Sequence, residues 1–174
     1  MTIAPQRTAM EPDLFRALLR RQAAAVVIVT AHGTPPAGFT ATSFTSVSLR
    51  PPLISVNLDR SSSSWPTINA ADYVGVHILR SDQEQLARRF ATSGIDRFAD
   101  GVSWQVGPAG VPLLAGCLAW LVCRVVNRIP AGDHAIVLAE PVVGQHLDDP
   151  HGPPLIYHLG RYVTVPYPGS GGNR

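Results

Sequence analysis

Two long runs rich in β-branched residues, 118–129 and 135–143, flank the tetrapeptide Pro130-Ala131-Gly132-Asp133. Turn-forming residues between two such runs predict an antiparallel hairpin. A hairpin of that length commits much of the chain to antiparallel sheet, so the expected fold class is mainly β with helices (α+β). His134 follows the turn and falls at the hairpin tip, exposed to a ligand and not locked in a core. Pro141 removes a ladder donor, which predicts an edge or a bulge in the second run.

Shorter elements fit around this hairpin. Strands are predicted over 26–30, 53–58, 73–79, 155–158 and 161–165. A helix starts at Asp13, its expected cap, with Leu14, Phe15, Leu18 and Leu19 on one face. Arg16, Arg20 and Arg21 take the opposite, solvated face. A second helix over 82–92 buries Leu86, Ala87 and Phe90 and carries Arg88 and Arg89 late, where the helix dipole favours cations. Residues 96–100 predict a helical turn. At 174 residues the chain predicts one domain, 11–165, with flexible termini at 1–10 and 166–174.

All fourteen cationic residues are arginine. Schiff-base, pyridoxal-aldimine and Walker-loop chemistry all use lysine and are excluded. A net charge of +2 with scattered arginines argues against a nucleic-acid partner. Cys117 and Cys123 fall on one predicted strand, roughly 20 Å apart when extended. That is too far for a disulfide, so both read as free thiols, and no Cys/His spacing suggests a metal site. With 45% hydrophobic and 15% charged residues, one face of the sheet needs a cover, which predicts a homodimer. Residues 1–10 have no apolar core, and no run reaches the ~18 apolar residues of a membrane span. A cytoplasmic location without membrane association is therefore expected.

Residues 38–49, GFTATSFTSVSL, hold six hydroxyls among apolar side chains, with apolar runs on both sides. Two readings are open. Hydroxyls that donate and accept beside flat packing residues suit the wall of a planar, polar-edged ligand. The same composition also suits a half-buried edge strand. Residues 60–66, RSSSSWP, lead into a short helix. They either offer hydroxyls and free amides to an anion or supply only a serine cap. His77, alone inside a strand, is expected to be packed and hydrogen-bonded rather than catalytic.

The ordered set GFTATSFTSVSLRPPLISVNLDRSSSSWP, LARRFA, GDH and PLIYHLGRY resembles the short-chain flavin reductases, over nearly all of 13–165. These are the reductase components of two-component flavin monooxygenases. The resemblance implies an FMN-binding split β-barrel, a homodimer with flavin near the subunit interface, and a separate monooxygenase that receives reduced flavin. It implies FMN or FAD as cofactor and NADH or NADPH as hydride donor. Ala41, Thr42, Ser43, Phe44, Thr45, Val47 and Ser48 match the segment along the isoalloxazine, with Asn57 beside it. Ser61 and Ser62 match hydroxyls by the ribityl-phosphate arm, and Arg89 matches the basic residue on that side. Gly132, Asp133 and His134 match the loop that meets the nicotinamide, with His134 the catalytic candidate. Three positions depart from the pattern: Ala24-Ala25 stand where Thr-Gly is common, His77 where Asn is frequent, and Ala139 where Gly is usual.

The residue chemistry agrees with that reading. Hydride transfer between two rings depends on holding them stacked more than on an acid or base. The cofactors carry the reaction and the protein supplies geometry. A flavin carrier or sensor on the same barrel is one alternative, though it has little use for His134. A pyridoxamine-phosphate-oxidase-like enzyme is another, and the lack of lysine counts against it.

Overall fold

The computed structural model describes residues 9–147 and 152–165. The segments 1–8 and 166–174, expected to be flexible, lie outside the described residues. Among the described residues twelve strands and three α-helices follow in order: α1 Pro12–Leu19, β1 Ala24–Ala25, β2 Val27–Ala31, β3 Ala37–Ala41, β4 Thr45–Leu49, β5 Pro52–Asp59, α2 Trp65–Ala70, β6 Tyr73–Ile78, α3 Glu84–Ala91, β7 Trp104–Val106, β8 Pro112–Leu114, β9 Ala119–Ala131, β10 His134–His146, β11 Leu155–His158 and β12 Arg161–Thr164.

Seven strands form one antiparallel sheet in the order β3-β2-β6-β9-β10-β5-β4. Its edges, β3 and β4, are joined by only Thr42, Ser43 and Phe44. Four Cα steps reach at most about 14 Å, whereas the edges of a flat seven-stranded sheet stand about 29 Å apart. The sheet must therefore curl until its edges nearly meet, which makes a split β-barrel. A small sheet, β1-β11-β12, and the β7-β8 hairpin sit against it.

β2 is apolar on both faces because both faces are covered. Val27 and Val29 point into the barrel with Phe39, Val56, Val76 and Val137. Val26 and Ile28 point outward, under Ala87, Phe90 and Leu155. Helix α3 reaches that surface because Gly38 has no side chain; a Cβ there would stand 2.7 Å from the Phe90 ring.

The predicted hairpin is β9–β10, and it closes through Gly132 and Asp133. Gly132 has φ +64, which a two-residue turn with a left-handed first position requires. Register shifts fall between Leu138 and Ala139 and between Pro141 and Val143. Pairing of β10 with β5 stops at Ala139, so Pro141 lies at a bulge beyond the end of that pairing. Ala139 is wholly buried in the barrel core.

Several local expectations are corrected. Glu11, not Asp13, is the α1 N-cap and makes no side-chain cap bond. Asp13 instead pairs with Arg16 at 2.9 Å one turn on. The apolar face of α1 stays about half exposed at Leu14, Phe15, Leu18 and Leu19. Residues 96–100 form turns without a helix. Cys117 precedes β9, so the two cysteines do not share a strand. Both are free and buried, and burial raises their pKa values to about 11 and about 12.

His77 is packed, as expected. Its Nδ1 bonds the Ile28 carbonyl at 3.1 Å, and its Nε2 accepts from the Leu114 amide at 3.1 Å. Burial, opposed by the Ile28 bond, pushes its pKa down to about 4 from 6.5. The folded protein thus holds His77 neutral where the unfolded chain already binds a proton. Stability should fall as pH drops from 6.5 towards 4, by up to about 3 kcal/mol from this residue. Urea unfolding of His77→Asn across that range should show a clearly shallower pH dependence; an unchanged slope would contradict the assignment.

Candidate functional site

The three residues that bridge β3 and β4 form one wall of a groove of about 760 Å³ on the outside of the barrel. Thr42, Ser43, Phe44, Thr45 and Asn57 line it on one side, and Ala24, Ala25 and Tyr157 on the other. Arg16 of α1 and Arg20, its C-cap residue, stand at its rim and are solvent-exposed, as expected. The Ala24-Ala25 departure also bears on the groove and not only on the joint between helix and strand.

The local chemistry explains why a serine stands at the bridge. β4 pairs with β5 only as far as Ser55, which leaves the Asn57 backbone without a strand partner on that side. The Ser43 hydroxyl accepts from the Asn57 amide at 2.9 Å and donates to the Asn57 carbonyl at 3.3 Å. One hydroxyl thus does the work of a missing ladder rung. Thr42 and Thr45 are exposed, and Phe44 packs on the barrel core. Ala41 is buried, so its side chain faces the core and not the groove. Val47 and Ser48 sit at a β-bulge beyond the groove, and Ser48 Oγ accepts from the Arg50 amide at 3.2 Å.

His134 pairs with Asp59 across the β10–β5 ladder, and Ile136 pairs with Asn57. Cross-strand partners share a face, as do residues two apart. Asn57, Asp59 and His134 therefore stand on one face of the sheet, with His134 about 7 Å along the strand from Asn57. Its ring is 44% exposed and its Nδ1 lies 2.7 Å from Asp133 Oδ1. The His134 bond and charge hold the Asp133 carboxyl below the usual carboxylate range. Arg60 latches the whole turn: its amide donates to the Asp133 carbonyl at 3.0 Å and its Nη2 to the Gly132 carbonyl.

The serine loop divides in two. The Ser61 amide and hydroxyl both donate to Asp59 Oδ1, at 2.7 and 2.8 Å, and so lower the Asp59 pKa. Ser62 Oγ accepts from the Ser64 amide at 3.3 Å. Ser64 is the α2 N-cap residue but makes no side-chain cap bond; its hydroxyl donates to the Gly38 carbonyl at 2.8 Å. Arg89 donates to the Asp100 and Asp96 carbonyls at 3.2 and 3.4 Å, and makes no bond to Ser61 or Ser62 among the described residues. The cation that does meet the serine loop is Arg97, at Ser63 and Ser64. Sequence reasoning missed it because 96–100 carries no periodic pattern.

The sequence matches the flavin reductase like domain over residues 19–166. It is 46% identical over 151 residues to the NADH:FMN oxidoreductase of Rhodococcus erythropolis, spanning 85% of this chain and 79% of that protein. A solved flavin reductase domain protein from Arthrobacter sp. FB24 gives a TM-score of 0.81 at 43% identity, covering 89% of this chain and 96% of its own. The NADH:FAD oxidoreductase of Streptomyces globisporus C-1027, solved in complex with NAD and FAD fragments, gives 0.84 at 32% identity, covering 94% and 99%. Fold and comparisons thus define a split barrel of the flavin reductase class. The chain belongs to the flavin reductase family.

If Ser43 stands in for a ladder rung, Ser43→Ala should cost about 1 kcal/mol of stability. Hydrogen exchange at the Asn57 amide should accelerate in step. An Asn57 amide that stays equally protected in the variant would show that the hydroxyl is not its partner.

Proposed function

We infer that this chain is an NAD(P)H:flavin oxidoreductase that passes reduced FMN or FAD to a separate monooxygenase. The observation that carries the reading is the placement of the strand-bridge groove and the His134 hairpin tip on one sheet face. Family membership supports it, as do the relatives named for NADH with FMN or FAD.

The residues fit a flavin. Thr42 and Thr45 offer hydroxyls, Phe44 an apolar surface, and Ser43 with Asn57 a fixed backbone. Arg89 adds a buried Nε with no partner among the described residues, which a ligand oxygen would satisfy. Bound flavin would supply the hydride-accepting ring, and a reduced nicotinamide the hydride. The chain's own work is positioning: the 42–45 bridge holds one ring's site, and the latched 132–134 turn directs the His134 imidazole towards the other. Asp133, held ionised, keeps that imidazole oriented.

The working unit is a homodimer. The half-exposed face of α1, with Val126, Val142 and Val143 on the long hairpin, is apolar surface that a second copy would cover. Light scattering of the flavin-loaded protein at micromolar concentration should give twice the chain mass; a monomer would contradict this.

The Asp133–His134 pair favours one competing reading, a flavin carrier in which the histidine only holds its turn. Kinetics separate the two. The protein should consume NADH or NADPH only when FMN or FAD is added, and His134→Ala should lower kcat/KM for the nicotinamide about tenfold, or ~1.4 kcal/mol. Flavin affinity and Tm should barely move. A loss of stability with turnover per folded molecule intact would assign His134 to the turn alone.

A further inference from the structure

Asp59 ends β5 opposite His134, its partner in the β5–β10 ladder. Directly opposed residues of an antiparallel pair carry their Cβ atoms about 5 Å apart. The chain itself holds this carboxylate beside the imidazole. Its Oδ1 accepts from the Ser61 amide at 2.7 Å and from the Ser61 hydroxyl at 2.8 Å. Those two bonds, helped by the charges of His134 and Arg60, keep its carboxyl below the usual carboxylate range. Asp59 is therefore ionised at neutral pH, and it forms no ion pair among the described residues.

The charges around the hairpin tip do not cancel. Asp59 and Asp133 supply two carboxylates, while Arg60 is the one guanidinium within 59–60 and 132–134. Arg60 also directs its Nη2 to the Gly132 carbonyl and not to either carboxylate. The far side of the site has the opposite sign. Arg20 stands at the rim of the groove and has no carboxylate partner among the described residues. A field of that direction does little for a neutral ring. It acts on a ring that becomes charged.

Hydride transfer creates such a ring. A proton and two electrons leave C4 of the dihydronicotinamide together and arrive at N5 of the flavin. The nicotinamide goes from neutral to cationic, and the flavin takes up the negative charge. A carboxylate already in place beside the nicotinamide gains interaction energy as that charge develops. It thus stabilises the transition state more than the ground state. We propose that Asp59 is the electrostatic partner of the nicotinamide, with a carboxylate that favours the ring that has lost its hydride over the ring that still carries it. The proposal rests on the His134 tip being the nicotinamide site, and it names the group there that responds to the charge.

The test is binding, read from the flavin absorbance of the FMN-loaded protein. NAD⁺ carries the cationic ring. Its 1,4,5,6-tetrahydro analogue carries a neutral ring that gives up no hydride, and the rest of the two molecules is the same. Asp59→Asn keeps an acceptor for Ser61 and removes the charge. It should weaken NAD⁺ roughly threefold to fivefold relative to the analogue, the scale of an exposed charge pair. Asp59→Glu should recover most of that preference. Raising salt to about 0.5 M should shrink the preference in wild type, because exposed charges are screened. Should Asp59→Asn fail to fold, the wild-type salt series decides, and a preference that does not change with salt overturns the assignment. An equal loss for both ligands makes Asp59 a support of the Ser61 turn alone, and an unchanged ratio removes it from the site. Either result overturns the proposal while leaving the nicotinamide site standing. Flavin-loaded protein that binds neither ligand overturns that site and this proposal together.

Discussion

The structure depends on one constraint of chain length. Seven strands are laid side by side, and the two that end as edges are sequence neighbours separated by three residues. Nothing but a curled sheet satisfies that connection. The curl puts the bridge, Thr42 to Phe44, across the outer surface beside the end of β5, where backbone groups would otherwise lack partners. Ser43 supplies them from its side chain. The same act that finishes the barrel thus makes a shallow, polar-edged wall with a fixed backbone, the kind of surface a flat heterocycle needs.

The second half of the site follows from register. β10 enters the sheet at His134 because the turn at Gly132 and Asp133 is short, and β5 leaves it at Asp59, the residue paired with His134. The strand end of β5 and the tip of the hairpin are therefore one place. Arg60 ties them together through two carbonyls of the turn. A site built this way places its groups by backbone geometry and uses few charged side chains, which suits chemistry carried by cofactors.

Much of this was legible in the sequence. The hairpin was readable because β-branched runs and a Pro-Ala-Gly-Asp turn point to the same structure, and Pro141 marked its bulge. The 38–49 stretch stood out by mixing hydroxyls with rings. Its edge-strand reading holds, for β3 and β4 are the edges of the sheet, and the link between them lines the groove in which the ligand-wall reading is proposed. What was not legible lies where no period constrains side-chain direction. Within Ser61–Ser62–Ser63–Ser64 the sequence does not say which hydroxyl faces Asp59 and which faces Arg97, because that depends on how a loop from 94–101 folds back. Cys117 looked like strand and lies in the irregular link before β9, since apolar content alone does not set a strand's first residue. Arg16 and Arg20 are solvent-exposed, as expected, while the apolar stripe of α1, expected to be covered, is not buried.

The central claim is that the strand bridge and the hairpin tip form one flavin-and-nicotinamide surface. Hydrogen–deuterium exchange with and without FMN tests it most directly. The account predicts slowed exchange across 41–48, at Asn57 and through 61–64, with 132–134 slowed further only when a nicotinamide is added. Protection confined instead to the separate cleft between Trp104, Cys117, Trp120 and His146 would contradict it.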